Sequence, residues 1–140
     1  MAIRKKIVLR EGKLYIWLDD RWNDEASTDR RPPEGWMPVA DFSELKSLVK
    51  RAMKKGVLLG GLSFDNDLGD GKKEGKDCAE WIVQNYPEWF LGDEILKVHS
   101  DNSSARPLIE GHFNDVIDER KHNLMVEMKK MKQSGETLGY

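Results

Sequence analysis

Three short apolar runs, each followed at once by polar residues, dominate the pattern of the chain. They cover residues 14–18, 57–64 and 95–98. Runs of this length and composition predict buried β-strands rather than helices. Residues 5–10 are joined to the first run through a Glu-Gly turn and predict a hairpin partner for it, and residues 36–40 predict a short strand. Two adjacent glycines inside the second run, Gly60 and Gly61, indicate a bulge or the close approach of another segment.

Apolar residues spaced three and four apart predict helices between these strands. The predicted helices are 42–55 (capped by Asp41 and ended by Gly56), 77–86 (stopped by Pro87), a third from a cap at Ser103 or Ser104 to about Ile117, and a fourth over 119–132. In the fourth, three methionines form a stripe that we interpret as a packing face: Met125, Met128 and Met131. Strands that alternate with helices predict an α/β domain with a mostly parallel sheet.

Length and composition place few limits on function. The 140 residues predict one domain, with its core at about 14–118 and a helical extension and tail over 119–140. The net charge of −2 gives no general nucleic-acid-binding surface. The single cysteine, Cys78, excludes a disulfide framework within the chain and is expected to be buried. No stretch approaches the roughly 20 apolar residues that cross a membrane, so a cytoplasmic protein is expected.

Two pairs of aspartates follow the first two strong strands. Asp19 and Asp20 follow the first and Asp65 and Asp67 follow the second, with Asp19 and Asp65 directly after the last apolar residue. Ligands of open parallel α/β sheets bind at the carboxyl ends of the strands, so these side chains are expected to meet. Four carboxylates in one place repel one another, and a hard divalent cation such as Mg²⁺ or Mn²⁺ relieves that repulsion. The local alternative is that Asp67 caps a turn and Asp20 pairs with Arg21.

The segment after the third strand carries groups that suit a phosphate. His99 can act as a general acid or base, because its charge changes near neutral pH. Ser100 and Asn102 can donate hydrogen bonds at a helix N-terminus, and Arg106 can make a two-pronged contact in the first turn. The simpler interpretation is a capped helix with a histidine hydrogen-bonded at the strand end. Facing four acids, the segment predicts a combined phosphate and metal site.

The motifs resemble those of a known family, the cyclic-phosphate processing receiver-like domains. The resemblance rests on four segments in the same order, namely Leu18-Asp-Asp-Arg21, Pro33-Glu-Gly-Trp36, Ser63-Phe-Asp-Asn-Asp-Leu-Gly69 and Val98-His-Ser-Asp-Asn102. It implies a three-layer, receiver-like (flavodoxin-like) α/β sandwich with a modified first helix and a truncated last strand. It also implies that Asp19 and Asp20 help to hold a divalent metal, that Asp65 stands at the phospho-acceptor position, and that Ser100 replaces the receiver's hydroxyl residue.

Three departures from the family and receiver patterns bear on activity. Asn66 stands where the family usually has histidine, and asparagine cannot transfer a proton at neutral pH. The lysine of true receivers has no counterpart, which argues against aspartyl-phosphate signalling. Residues 21–31 form a loop where a receiver has its first helix, and this loop is expected to lie beside the acids.

The leading hypothesis is therefore a metal-dependent phosphoesterase that processes cyclic phosphates of nucleotides or RNA ends. The expected catalytic residues are Asp65, Asp67 and His99; the expected metal ligands are Asp19, Asp20 and Asp65; and the expected substrate-binding residues are Asn66, Ser100, Asn102, Arg106 and Arg21. The alternative is a non-catalytic receiver-like module that binds a phosphorylated ligand, or a protein partner through the C-terminal helix.

Overall fold

The computed structural model describes residues 6–26, 28–68, 73–99 and 106–133. Within these ranges the chain forms the strands β1 (Lys13–Leu18), β2 (Met37–Val39), β3 (Leu58–Phe64) and β4 (Ile95–Val98), and the α-helices α1 (Phe42–Lys54), α2 (Gly75–Asn85) and α3 (Arg106–Gln133). Two 3₁₀ turns lie at Thr28–Arg30 and Pro87–Trp89. No described helix combines the length and the apolar character that crossing a bilayer needs.

The four strands form one sheet in the order β2-β1-β3-β4, and every pairing is parallel. This order is the one expected for a flavodoxin-like, receiver-like domain, and it confirms the α/β prediction. Leu18 pairs with Val39 on one side and with Phe64 on the other, and Phe64 pairs with Val98. The carboxyl ends of the four strands are therefore level.

The main core lies between the helices and one face of the sheet. Leu14, Ile16 and Leu18 of β1 are fully buried in a cluster with apolar residues from all three helices. Side chains alternate along a strand, so Tyr15 and Trp17 point to the other face. Residues 21–31 stand where a receiver has its first helix. Their described part, 21–26 and 28–31, contains turns and the Thr28–Arg30 3₁₀ turn, which confirms a modified first helix.

The paired glycines of β3 accommodate the aromatic residues on that second face. The β1–β3 register skips Gly60, so that Leu14 pairs with Leu59 and Tyr15 with Gly61. A Cβ atom at Gly60 would lie 2.5 Å from the ring of Tyr15. Both the bulge and the close approach that the sequence indicated are present.

The predicted N-terminal strand is wrong. Residues 6–9 have no regular structure, and the backbone of Arg10 forms an isolated antiparallel bridge to Lys13 around a turn in which Glu11 and Gly12 have positive φ. The reason lies in the sheet, because β1 is a central strand with β2 on one side and β3 on the other. Neither edge of β1 is left for a hairpin partner.

The first helix begins as predicted, whereas the later helices differ from prediction. Asp41 caps α1 as expected, and its Oδ1 accepts a hydrogen bond from the amide of Glu44 at 2.9 Å. Helix α2 begins two residues before the predicted start, at Gly75, because Asp77 accepts the amide hydrogen of Glu74 at 2.9 Å and so closes the first turn.

The two predicted C-terminal helices form one helix, α3, since neither proline nor glycine interrupts residues 112–133. The proposed caps Ser103 and Ser104 lie outside the described residues. Met125 and Met128 are exposed, so these two residues of the predicted stripe do not form a packing face within this domain, whereas Met131 is half-buried.

Candidate functional site

Three of the predicted site residues meet where the strands end. The backbone ladder continues one residue past β1, β3 and β4, because the amides of Asp19, Asp65 and His99 donate to the carbonyls of the neighbouring strands at 3.0, 2.8 and 3.1 Å. Asp19 and Asp65 are 0% and 4% exposed. Two buried carboxylates side by side require compensation by cations or hydrogen-bond donors.

An oxygen donor set suitable for a metal is formed by Asp19, Asp20 and Asp65. One carboxylate oxygen from each lies within 4.8 Å of the others. Hard divalent cations such as Mg²⁺ and Mn²⁺ prefer oxygen ligands, and Mg²⁺ sites in particular use a few carboxylates together with water. Asp20 is exposed and Asp19 and Asp65 are buried, so the set is open on one side. The donor set therefore fits such an ion.

His99 is held on both sides of its ring. Nε2 lies 3.1 Å from Oδ2 of Asp19, and Nδ1 lies 2.7 Å from Oγ of Ser63. The ring also stacks on the indole of Trp17, with centroids 3.8 Å apart and an angle of 4° between the planes. An ionised Asp19 accepts a hydrogen bond from Nε2–H, which fixes the position of its carboxylate. The arrangement suits a residue that orients Asp19.

The chain Ser63–His99–Asp19 contains the residue types of a nucleophilic triad, but Ser63 is only 2% exposed. It lies within β3, two residues before Asp65. A nucleophile must reach its substrate, so this serine is better explained as the partner that fixes the ring of His99.

The main cation beside the acids was not predicted from the sequence. Nη1 of Arg30 lies 3.5 Å from Oδ2 of Asp19 and 3.2 Å from Oδ2 of Asp65. Trp17 positions this residue, since its Nε1–H donates to the carbonyl of Arg30 at 2.9 Å. The only sequence signal was indirect: a loop with several arginines begins directly after Asp19 and Asp20.

Asn66, expected to bind substrate, is buried and fully engaged in local contacts. Its backbone amide donates to Oδ1 of Asp65 at 2.9 Å, and its Oδ1 accepts from the amide of Lys76 at 3.1 Å. Its Nδ2 donates to carboxylate oxygens of Asp67 and Glu74 at 3.3 and 3.4 Å. The side chain thus ties the end of β3 to the start of α2.

The other predicted residues lie at the edge of the site or outside the described ranges. Asp67 is exposed and accepts a hydrogen bond from Asn66. Arg21 contributes its backbone amide, which donates to Oδ1 of Asp19 at 2.8 Å, while its side chain is exposed. Arg106 is exposed at the first residue of α3. Ser100 and Asn102 are not among the described residues.

The two neighbouring aspartates have opposite pKa shifts. Burial raises the pKa of Asp19, but hydrogen bonds from His99 and the Arg21 amide, with the charges of His99 and Arg30, outweigh it and lower the pKa below its usual value. Partial burial and the charge of Asp19 raise the pKa of Asp20, against the opposing charges of Arg21 and Arg30. The negative charge of Asp19 is therefore compensated within the protein, whereas ionisation of Asp20 destabilises the folded state.

Comparison with known proteins gives one match. No curated protein and no solved structure matches the chain. The family model described as the cyclic-phosphate processing receiver domain matches residues 14–115, which include β1 from its second residue, the other three strands and every acid of the site. Because that match covers well over half of the chain, the protein belongs to the family of cyclic-phosphate processing receiver domains.

Proposed function

We propose that this protein is a divalent-metal-dependent phosphoesterase that processes cyclic phosphates of nucleotides or RNA ends. The observation that carries the proposal is the convergence of Asp19, Asp20 and Asp65 on one point at the sheet edge. Membership of the family supports the substrate class.

Each residue near the acids has a proposed role. Asp19, Asp20 and Asp65 hold the ion, which when bound polarises a phosphoryl oxygen and lowers the pKa of water. His99 keeps the carboxylate of Asp19 oriented, and its role as a general acid or base stays a prediction from the sequence. Asp67, exposed at the edge, orients the attacking water. Ser100, Asn102 and Arg106 remain proposed phosphate-binding residues on the strength of the sequence alone.

The test is an Mn²⁺ titration followed by an assay on 2′,3′-cyclic nucleotides, 3′,5′-cyclic nucleotides and RNA ending in a cyclic phosphate. We expect turnover that requires metal and is lost in Asp19→Ala. Asp118→Ala is the matched control, because Asp118 is an exposed aspartate on α3. Unchanged Mn²⁺ affinity in Asp19→Ala, or metal binding without turnover on any of the three classes, would contradict the proposal.

The second candidate is a non-catalytic module that binds a phosphorylated ligand. Asn66 favours it, since this residue stands where the family usually has histidine and is occupied in structural hydrogen bonds. Leu124, Met125 and Met128 are exposed on α3 and offer a surface for a protein partner. Ligand binding without turnover in the native protein, with turnover appearing in Asn66→His, would identify it as a degenerate enzyme of this class.

A further inference from the structure

Arg30 lies against both buried acids of the proposed metal site. Its side chain is only 17% exposed, and those of Asp19 and Asp65 are 0% and 5% exposed. One nitrogen, Nη1, is within 3.5 Å of a carboxylate oxygen of each. The guanidinium therefore neutralises, from inside the protein, the charge that a divalent ion would neutralise.

We propose that Arg30 is a tethered counter-cation that a divalent ion displaces from the acids and that then binds the phosphate of the ligand. The proposal rests on the metal-dependent function proposed above, and it adds a phosphate-binding residue to that site. It also makes metal binding and phosphate binding mutually favourable, since the ion releases the group that the phosphate needs.

Electrostatics favours the displacement. A guanidinium and a divalent ion held by the same two carboxylates would repel each other strongly at a few ångströms inside a half-buried site. The carboxylates hold the ion more tightly because it carries twice the charge and accepts several oxygen ligands. Arg30 must then give up its contact with Asp19 and Asp65.

The backbone contact explains why the displaced side chain stays near the site. Trp17 donates to the carbonyl oxygen of Arg30, so this hydrogen bond holds the peptide near the site and does not itself involve the guanidinium. The same indole stacks on His99, which contacts Asp19. A guanidinium that turns away from the acids thus remains at the edge of the site, where its fork of N–H donors matches phosphate oxygens.

The first test compares Mn²⁺ affinity by electron paramagnetic resonance in the native protein, Arg30→Gln and Arg31→Gln. Arg31 is the matched control, because it is the next residue in the same segment and is exposed. We expect Arg30→Gln to bind Mn²⁺ about tenfold more tightly or better, since the internal competitor is gone, and Arg31→Gln to equal the native protein. Equal or weaker binding by Arg30→Gln would overturn the proposed exchange of the Arg30 guanidinium for a divalent ion, while leaving the metal site intact.

A second measurement separates competition from a purely structural role. Inorganic phosphate should increase Mg²⁺ affinity several-fold in the native protein and in Arg31→Gln, and should have no effect in Arg30→Gln. Without metal, Arg30→Gln should melt at a lower temperature than the native protein, and saturating Mn²⁺ should remove the difference. Phosphate enhancement that survives in Arg30→Gln would overturn the phosphate role.

The outcomes also distinguish this inference from the proposed function. If neither the native protein nor Arg30→Gln binds Mn²⁺, both fail together. If Arg30→Gln folds only with Mn²⁺ present, the ion replaces the guanidinium and the exchange is supported. If it does not fold at all, Arg30→Lys decides, because lysine keeps the charge but pairs less well with two carboxylates. A few-fold gain in Mn²⁺ affinity supports the exchange, and no gain overturns it.

Discussion

Two glycines in helices offer a matched pair of substitutions with effects of opposite sign. Gly75 begins α2 beside the candidate site, and Gly111 lies inside α3. A Cβ atom at Gly75 would stand 2.1 Å from the carbonyl oxygen of Asp65 and 2.8 Å from Cα of Asn66. A Cβ atom at Gly111 would meet nothing within 4 Å. Both changes are glycine to alanine, so helix propensity alone would stabilise both.

The structure predicts a large loss at Gly75. To lengthen the contact from 2.1 to 3.0 Å, below which real Cβ atoms are essentially not found, α2 and the end of β3 must separate by about 0.9 Å. Overpacking of this kind costs about 1–3 kcal/mol. The shift also stretches the hydrogen bond from the amide of Gly75 to the carbonyl of Asn66, now 2.8 Å, which is worth about 1 kcal/mol. We expect Gly75→Ala to lower the free energy of unfolding by about 2–4 kcal/mol.

The same change at Gly111 should stabilise the protein by about 0.5–1 kcal/mol, because alanine restricts the unfolded chain and the helix has room for its methyl group. Urea unfolding followed by tryptophan fluorescence measures both values. Gly75→Ala should also weaken Mn²⁺ binding about tenfold or more, since Asp65 shifts with its carbonyl, whereas Gly111→Ala should leave it unchanged. Changes of the same sign in the free energy of unfolding of the two variants, or an unaltered Mn²⁺ affinity in Gly75→Ala, would refute the reasoning.

Three further predictions concern ionisable groups. Asp20→Asn should weaken Mn²⁺ binding and raise the free energy of unfolding of the metal-free protein at pH 7. The raised pKa means that ionised Asp20 destabilises the fold, an effect that is relieved as pH falls. A less stable variant would contradict this. The pKa of Asp19 is lowered, so its charge stabilises the fold above its unfolded pKa of 3.8, and that contribution is lost as pH falls through the lower folded value. In urea unfolding, the deficit of Asp19→Asn should therefore be larger at pH 6 than at pH 3, and a constant deficit would exclude this cause. Burial and the charges of Asp77 and Asp41 raise the pKa of Cys78 to about 12, so Ellman's reagent at pH 8 should label it only after unfolding; rapid labelling of the native protein would disprove its burial.

The sequence predicts the acids of the site well because their positions depend on local patterns. Each apolar run ends abruptly, and in a parallel sheet the residue after each strand lies at the same edge. That inference predicts that Asp19, Asp65 and His99 lie close together, without any knowledge of the register of the strands. It fails for residues 6–9, since a local pattern does not reveal that β1 is central and already paired on both sides.

The partners of these acids are less predictable, because they are chosen across long separations in the chain. Ser63 and His99 are 36 residues apart, and His99 and Asp19 are 80 apart. Arg30 is one of three arginines in its loop, and nothing in the sequence distinguishes it from Arg31, which is exposed. The distinction comes from Trp17, whose indole fixes the backbone of Arg30. Only the folded sheet places that indole beside both the loop and His99.

The same carboxylates serve stability and ion binding, and the two requirements oppose each other. Arg30 and His99 compensate Asp19, and Arg30 also compensates Asp65, so the fold tolerates two buried charges without an ion. The Arg30 contacts that make the ion-free protein more stable are the ones that the ion must replace, which lowers the affinity for the ion. Asp20 is exposed beside the buried pair, and the charges of Arg21 and Arg30 do not outweigh the effects that raise its pKa. A site built in this way should bind its ion weakly alone and more tightly with an anionic ligand that gives Arg30 a new partner.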